Sequence, residues 1–383
     1  MSGFKKELNM AEDNQAAECS PTCCTGTEPP FNYGRAEGAN WVEGKLDTAA
    51  GTVYKVSTAL DRQDRLGSIK ARIGMGRMQY SVPTGLYAIG KPGSNSPVLV
   101  SANYKLSFDL LRRELAGLNL WLLVIDTRGI NVWCAAGKGT FGTAEIIKMV
   151  DTSGLSKVVS HRTLILPQLA APGVAAHEVR RSCGFKIIYG PVRAADIPVF
   201  LSKEYKADPE MRRTRFNLSE RMILVPVELA ALVKPFLGLV GLLFLLNLLA
   251  FLSEGREFTI PMLLGYTGLD FIPFLAAALI GVALVPALLP YTPGRPLSWK
   301  GFVLGIAWSF VYTCTISQGG SWLQVSAYFL SLPAITAFLS LNFTGSTTYT
   351  SLSGVVKEMS VALPLIAVSA ALGFIALIAA YFV

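Results

Sequence analysis

The sequence predicts an α/β domain built on a parallel sheet, followed by an all-α domain of five transmembrane helices. Three observations carry that prediction. Apolar runs of strand length alternate with helix-like segments between Pro97 and Pro191. Five later segments are apolar over about 20 residues, the length that crosses a hydrocarbon core of roughly 30 Å. The excess positive charge lies entirely in front of them. Residues 1–221 hold 29 basic and 21 acidic side chains, and residues 222–383 hold 5 of each.

Residues 1–40 are polar and rich in Glu, Pro and Gly, and read as a flexible tail. The opening MSGFKKELNMAEDNQ lacks the apolar core of a secretory signal. Cys19, Cys23 and Cys24 fall in this tail. Without paired two-residue spacings or partner histidines they read as accessory rather than as a metal site. The six cysteines of the chain sit at irregular spacings, which makes no disulfide framework.

Residues 41–87 mix β-like stretches (TVYKVST) with glycine turns (GMGRMQY, PTGLYAIG), a lead-in layer to the sheet, and 92–97 is a loop. PVLVSANYK is then a strand, and SFDLLRRELAG a helix with Ser107 as its N-cap. LWLLVIDT, RTLILP and KIIYGP are three further strands, with the helices TAEIIKMVD and VAAHEVRRSCG between them. Near-continuous apolar strands separated by helices give a Rossmann-like parallel sheet covered on both faces. Ligands of such sheets bind at the carboxyl ends of the strands. Those ends carry Ser101 and Asn103, Thr127 with its loop, PQLAAPG, and Gly190 with Pro191.

The predicted spans are 225–252, 271–289, 301–317, 322–341 and 361–383. PMLLGYTGL, before the second, is too short and glycine-rich to cross alone and is placed at the interface. Arg212, Arg213, Arg215 and Arg221 precede the first span, Arg295 and Lys300 follow the second, and Lys357 precedes the last. The positive-inside rule then puts the α/β domain in the cytoplasm and the carboxyl terminus outside, in a multi-pass protein of the cytoplasmic membrane. The basic cluster at 203–221 reads as a membrane-proximal collar. Nucleic-acid binding is not expected, because no aromatic-interleaved RNA-binding signature accompanies the charges. Glu228 and Lys234 lie near enough to the inner boundary to snorkel, and Asp270 sits at the edge of the second span. No ion path can be traced, which disfavours a transporter. The domains are therefore 1–40, 41–221 and 222–383.

The stretch with chemical character is GINVWCAAGKGTFG, residues 129–142. Gly137, Gly139 and Gly142 spell GxGxxG, but well beyond the strand end and without an acidic partner on the next strand. Lys138 follows a glycine but lacks the earlier glycine of a P-loop. A nucleotide site is thus disfavoured. Cys134 follows a strand end, flanked by Asn131 and Trp133, with Ala135, Ala136 and Gly137 after it; such small residues let backbone approach a broad flat ligand. Lys138 and a helix start would both favour its thiolate. A buried, inert cysteine is the alternative. Packing is the reading for Cys183 and Cys314.

NVWCAAGK, residues 131–138, resembles the signature of the mercury-methylating corrinoid proteins, as do VLVSANYKLSFDLLRREL, KGTFGTAEI and the order of the parts. The α/β part is also similar to the corrinoid domain of the corrinoid iron–sulfur protein of acetyl-CoA synthesis. The resemblance implies cobalamin bound with its own base displaced, and the Cys134 thiolate as lower ligand to cobalt. It places Asn131, Trp133 and Lys138 in a helical cap that carries the cysteine, with the cofactor against Ala135, Gly137, Ser101, Asn103, Gly190 and Pro191. The histidine-ligated cobalamin motif DxHxxG is absent; His177 follows Ala175 and precedes Arg180. The implied activity is a methyltransferase moving methyl as a carbanion equivalent to Hg(II), giving methylmercury. Implied partners are a ferredoxin-like protein with two 4Fe–4S clusters and a methyl-tetrahydrofolate-linked donor. Two alternatives remain: a corrinoid methyl carrier of one-carbon metabolism with another acceptor, and a non-enzymatic membrane transporter or receptor.

Overall fold

The computed structural model describes residues 36–315, 321–346 and 352–382. The tail cysteines Cys19, Cys23 and Cys24 lie outside them, as do the loop at Gly319 and the last two residues of the predicted span 301–317.

Seven strands form one sheet in the order β1-β2-β3-β5-β4-β6-β7. They are β1 (Val42–Thr48), β2 (Gly51–Val56), β3 (Gly85–Ile89), β4 (Val98–Ala102), β5 (Leu120–Ile125), β6 (Thr163–Leu166) and β7 (Lys186–Tyr189). The run β5-β4-β6-β7 is parallel, as expected. The other half corrects the all-parallel reading. β1 and β2 are an antiparallel hairpin, β2 runs parallel to β3, and β3 runs antiparallel to β5. Residues 41–87 are thus part of the sheet rather than a layer before it. PTGLYAIG hides a central strand: all five residues of β3 are buried, so no alternation betrays it. Gly90, at φ +68°, follows that strand where an added Cβ would collide with the Asn119 side chain and the Leu118 carbonyl.

Side-chain alternation along the strands feeds two cores. Trp121, Leu123 and Ile125 of β5 point into one, and Leu120, Leu122 and Val124 into the other. Helices α3 (Val132–Gly137), α4 (Thr143–Thr152), α5 (Leu155–Val158) and α6 (Ala176–Cys183) cover the first face through Ala135, Ile146, Leu155 and Val179. Helices α2 (Lys105–Glu114) and α7 (Ile197–Ser202) cover the second through Phe108, Ile197 and Phe200.

Ser107 is not the N-cap of α2. The helix starts at Lys105 after Tyr104, with no side-chain cap. Its start is fixed instead by backbone pairing: the Lys105 N–H donates to the Tyr80 carbonyl at 2.9 Å, and Ser81 bridges Tyr104. Helix α1 (Arg62–Arg72) does have a cap, an Asp61–Asp64 capping box.

A buried ionic cluster joins α1 to α2. Arg112 is 0% exposed. It donates to Asp64 at 2.5 Å, to Asp109 at 2.8 Å, and to the Ser57 and Ala59 carbonyls at 2.6 and 2.7 Å. Lys105 donates to Asp64 at 2.7 Å and to Asp109 at 2.6 Å. Burial pushes the Asp64 carboxyl up, but the Lys105 and Arg112 cations and the Asp61 backbone outweigh it and hold its pKa at about 2. Every charge is matched and hydrogen-bonded, the condition under which buried ions are tolerated.

The short helix α8 (Leu218–Met222) leads to five long helices: α9 (Val225–Ser253), α10 (Ile260–Leu279), α11 (Leu297–Thr315), α12 (Trp322–Asn342) and α13 (Leu352–Ala380). A π-helical turn, Ile280–Leu284, and a last turn, Val285–Ala287, extend α10. Among the described residues four stretches are long and apolar enough to cross a membrane: Leu218–Ser253, Ile260–Ala287, Trp322–Asn342 and Ser353–Ala380. Helix α11, which holds most of the predicted span 301–317, is not among these four. It packs tightly on α12; a Cβ on Gly305 would meet the Pro333 Cα at 2.5 Å, and one on Gly301 the Thr336 carbonyl at the same distance.

Two boundaries change. PMLLGYTGL forms the first turns of α10 rather than a separate interfacial piece. Asp270 therefore lies inside that helix, not at an edge, where it accepts from Asn247 at 2.8 Å and from the Tyr381 hydroxyl at 2.5 Å. Two of the charges used to orient the chain cap the carboxyl end of the α10 extension. Arg221 donates to the Pro286 and Ala287 carbonyls at 3.0 and 3.2 Å. Lys300 donates to those of Leu289 and Thr292 at 2.6 and 2.8 Å. Cations there meet both the unpaired carbonyls and the negative end of the helix dipole.

Candidate functional site

The turn after β5 is built around one side chain. Asn103 Oδ1 accepts from the backbone N–H groups of Thr127 and Gly129, both at 3.1 Å, and lies 2.8 Å from the Thr127 hydroxyl. Its amide donates to Asp126 at 3.0 Å. This network holds Arg128 and Gly129 at φ +56° and +70°, the left-handed region where glycine costs least. Gly129 also lies close against Met78, whose carbonyl would be 3.3 Å from an added Cβ. Asn103 is thus the anchor of the turn, and its polar atoms are engaged there.

The turn delivers α3, six residues long. Asn131 caps it, its side-chain oxygen accepting from the Cys134 N–H at 2.9 Å. Ala135 and Ala136 are buried. The second meets the Gln168–Gly173 turn, where a Cβ on Gly173 would come 3.0 Å from the Ala136 Cα and 2.5 Å from the Phe141 carbonyl. Ala135 and Ala136 therefore let α3 sit close to its own neighbours, while Gly137 is exposed with open space beside it. The opposite side of α3 is open: Cys134 is exposed, with Gly137, Lys138 and Trp133, the last at 38%. Cys134 is thus not the buried cysteine that the alternative required.

Beside α3, at the carboxyl ends of β4, β6 and β7, lies a cleft of about 360 Å³ lined by Ser101, Asn131, Trp133, Pro167, Gly190 and Pro191, among others. Five of the sequence-predicted residues converge here: Ser101, Asn131, Trp133, Gly190 and Pro191. Cys134 is on the exposed side of the helix that forms one wall. Asn103, Ala135, Gly137 and Lys138 do not line the cleft. Residues missed by the sequence are Ser107, Leu110 and Leu111 of α2, and Val192, Ala194 and Ile197 after β7. Ser107 had been assigned to a cap. The others read as ordinary core, and no local pattern marks them.

A larger cavity of about 850 Å³ opens among α11, α12 and α13, beside Trp299 and Lys357; it contains none of the predicted site residues. Among the described residues no group of three His, Cys, Asp or Glu side chains could hold a metal ion. A metal at Cys134 would have to arrive with further ligands of its own. His161 bonds the Ser96 carbonyl at 2.9 Å, and His177 is exposed beside Glu178. Cys183 is half-buried, its thiol donating to the Val179 carbonyl at 3.2 Å, and burial pushes that thiol's pKa up. Cys314 is exposed on α11 rather than packed.

Residues 75–201 match the family described as CO dehydrogenase/acetyl-CoA synthase delta subunit. Similar curated proteins are gamma subunits of the acetyl-CoA decarbonylase/synthase complex. That of Methanopyrus kandleri is 34% identical over 130 residues, 33% of this chain and 28% of the relative. The gamma 2 subunit of Methanosarcina thermophila is 32% identical over 34% of this chain and 28% of its own length. That of Archaeoglobus fulgidus is 30% identical over 34% and 27%. The chain thus spans under a third of the length of these relatives. The family match covers β3 to α7, including the turn, α3 and the cleft.

Proposed function

We propose that the α/β domain binds cobalamin at the carboxyl ends of β4, β6 and β7, with the Cys134 thiolate as lower ligand to cobalt, and that the protein transfers methyl from it to Hg(II). The observation that carries this reading is the exposure of Cys134 on an Asn131-capped helix beside a cleft in the segment similar to acetyl-CoA decarbonylase/synthase subunits.

The residues present fit such a cofactor. The cleft is open and mostly apolar, with Ser101, Ser107 and Asn131 as polar groups, and Cys134 is exposed on the helix that supplies Asn131 and Trp133 to its lining. A thiolate is a soft donor suited to a soft metal centre. When bound, the cofactor supplies the methyl–cobalt bond, and the protein supplies axial ligation and access. Asn131 holds the start of α3, Ala135 and Ala136 seat it, and Asn103 fixes the turn before it. Together they determine where the sulfur stands. Trp133 offers a broad apolar wall to the ring.

The supporting reading of partners follows: a ferredoxin-like protein with two 4Fe–4S clusters as electron donor, and a methyl-tetrahydrofolate-linked methyl source. Five helices, with α11 completing the four longer spans, hold the domain at the cytoplasmic face with the carboxyl terminus outside. Boundaries at 1–40, 41–221 and 222–383 belong to the same reading. The second reading, a corrinoid methyl carrier with another acceptor, is favoured by the similarity to subunits of the acetyl-CoA decarbonylase/synthase complex.

The test is the visible spectrum of the full chain loaded with cobalamin, with Cys134 intact and as Cys134→Ala. A spectral change on substitution is expected, and an unchanged spectrum removes the axial-ligand proposal. Assaying methylmercury beside other methyl acceptors then separates the two readings. Uptake of a substrate that survived Cys134→Ala would support a transporter instead.

A further inference from the structure

Four large apolar side chains stand in the open on α1 and the turn after it. Leu66 is 57% exposed, Ile69 55%, Met75 61% and Met78 69%. They do not stand alone. Arg62, Arg65, Leu66 and Ile69 are spaced i, i+3, i+4, i+7, so they form one stripe along α1. Lys70, Arg72 and Arg77 flank it. Of the two carboxylates of this segment only Asp61 is exposed, and the exposed Arg62, Arg65 and Lys70 outnumber it. Asp64 is buried against Lys105 and Arg112, and Asp61 caps the helix and accepts from Asn40. The face is therefore apolar and basic at once. Its position is the second observation. A Cβ on Gly74 would be 3.4 Å from Val227 in the first turn of α9, and Arg77 is close enough to the Glu228 carboxylate to act on it electrostatically. The segment thus abuts the start of the first apolar helix.

We propose that α1 and the following turn lie in the headgroup layer of an anionic bilayer and seat the α/β domain on the membrane. The proposal rests on the reading that α9 and its neighbours span that membrane. Short amphipathic helices with basic flanks bind in this way, apolar side chains below the headgroups and cations among the phosphates. Helix α1 lies wholly outside the match to the CO dehydrogenase/acetyl-CoA synthase delta-subunit family, which begins at Met75. The seat also reaches the site, because Met78 underlies Gly129 of the turn that carries α3. The occupant is a lipid surface rather than a protein, because the face continues directly from a helix long and apolar enough to cross a membrane.

The test uses the full chain in nanodiscs, with its native cysteines replaced and a nitroxide placed at Met78→Cys or, separately, at Leu237→Cys. Leu237 is exposed on α9 and reports whether that helix is in lipid. The expected result is that both labels collide more with oxygen than with a water-soluble nickel chelate. At Met78 alone, that preference should fall severalfold when Arg62→Gln, Arg65→Gln and Lys70→Gln are combined, or when phosphatidylcholine replaces phosphatidylglycerol. A Met78 label open to nickel, with Leu237 still in lipid, overturns the seat and leaves the spans standing. Shielding of Met78 from both reagents means that protein covers the face, and also overturns it. Both labels open to nickel would remove the membrane reading together with the seat.

Discussion

The two halves of the sheet treat their reactive groups in opposite ways. Around β4, β5, β6 and β7 the rim is left open: Cys134 is exposed, and the cleft beside it offers few hydrogen-bonding groups. Between α1 and α2, behind the β1–β2 hairpin, a set of charges is closed inward, with Asp64, Lys105, Asp109 and Arg112 all buried and paired. The difference teaches where chemistry and stability reside. An exposed thiol can change partners at little cost to the fold. A closed ionic cluster cannot, because removal of one member strands the rest in low dielectric.

The largest effect should separate the two functions cleanly. Cys134→Ala is expected to lower methyl transfer by roughly 100-fold or more, while thermal stability changes by no more than about 0.5 kcal/mol, as for other exposed sites. A matching loss of stability in a melting experiment would show that Cys134 belongs to the fold. Arg112→Met should do the reverse. It leaves Asp64 and Asp109 to share Lys105, at a cost of about 3–5 kcal/mol, yet the folded fraction should keep its cobalamin spectrum. A near-neutral melting temperature would end the contrast drawn between the halves.

Acid sharpens the same comparison. The folded-state pKa of Asp64 is held at about 2, below the ordinary 3.8. Its stabilisation is therefore fully present above the higher value and is lost as pH falls toward the lower one. The amount is about 2 kcal/mol. Denaturant titrations between those pH values should show a shallower loss in Asp64→Asn than in the parent chain, from a lower starting stability. The smallest effect belongs to Asn131→Ala. Loss of the cap should cost about 1 kcal/mol, and weaker cobalamin binding, read by spectral titration, should accompany it.

Much of the parallel half was legible in the sequence because β4 to β7 are unbroken apolar runs, each set off by a helix. The other half was not. β3 is five residues between Pro83, Gly85 and Gly90, so its local text reads as a turn, and its antiparallel pairing with β5 depends on where the chain returns. The ionic cluster was hidden for a different reason. Lys105, Asp109 and Arg112 recur at i, i+4 and i+7, a spacing that normally marks a solvated face. Their partner Asp64 lies 41 residues before Lys105.

At the site, the motif located Cys134 and its cap. It could not say which side of a six-residue helix faces inward. That is decided by Gly173 and Phe141, from another part of the chain. Asn103 was found at the right strand end, but its part in the turn after β5 needed the neighbouring strand to be known. Ser107 illustrates the opposite error: a good capping residue three positions beyond the actual cap position, Tyr104, overruled by the backbone pairing of Tyr80 with Lys105.

Arg221 and Lys300 come from opposite flanks of the extended α10, Arg221 binding its last turn at Pro286 and Ala287 and Lys300 the carbonyls of Leu289 and Thr292 just beyond it. A residue of the short helix that leads into the first long helix is thereby tied to the second. A swivel of α8 on α9 would pull that guanidinium from its two carbonyls. The entry to the long helices is therefore held by a side chain as well as by the backbone.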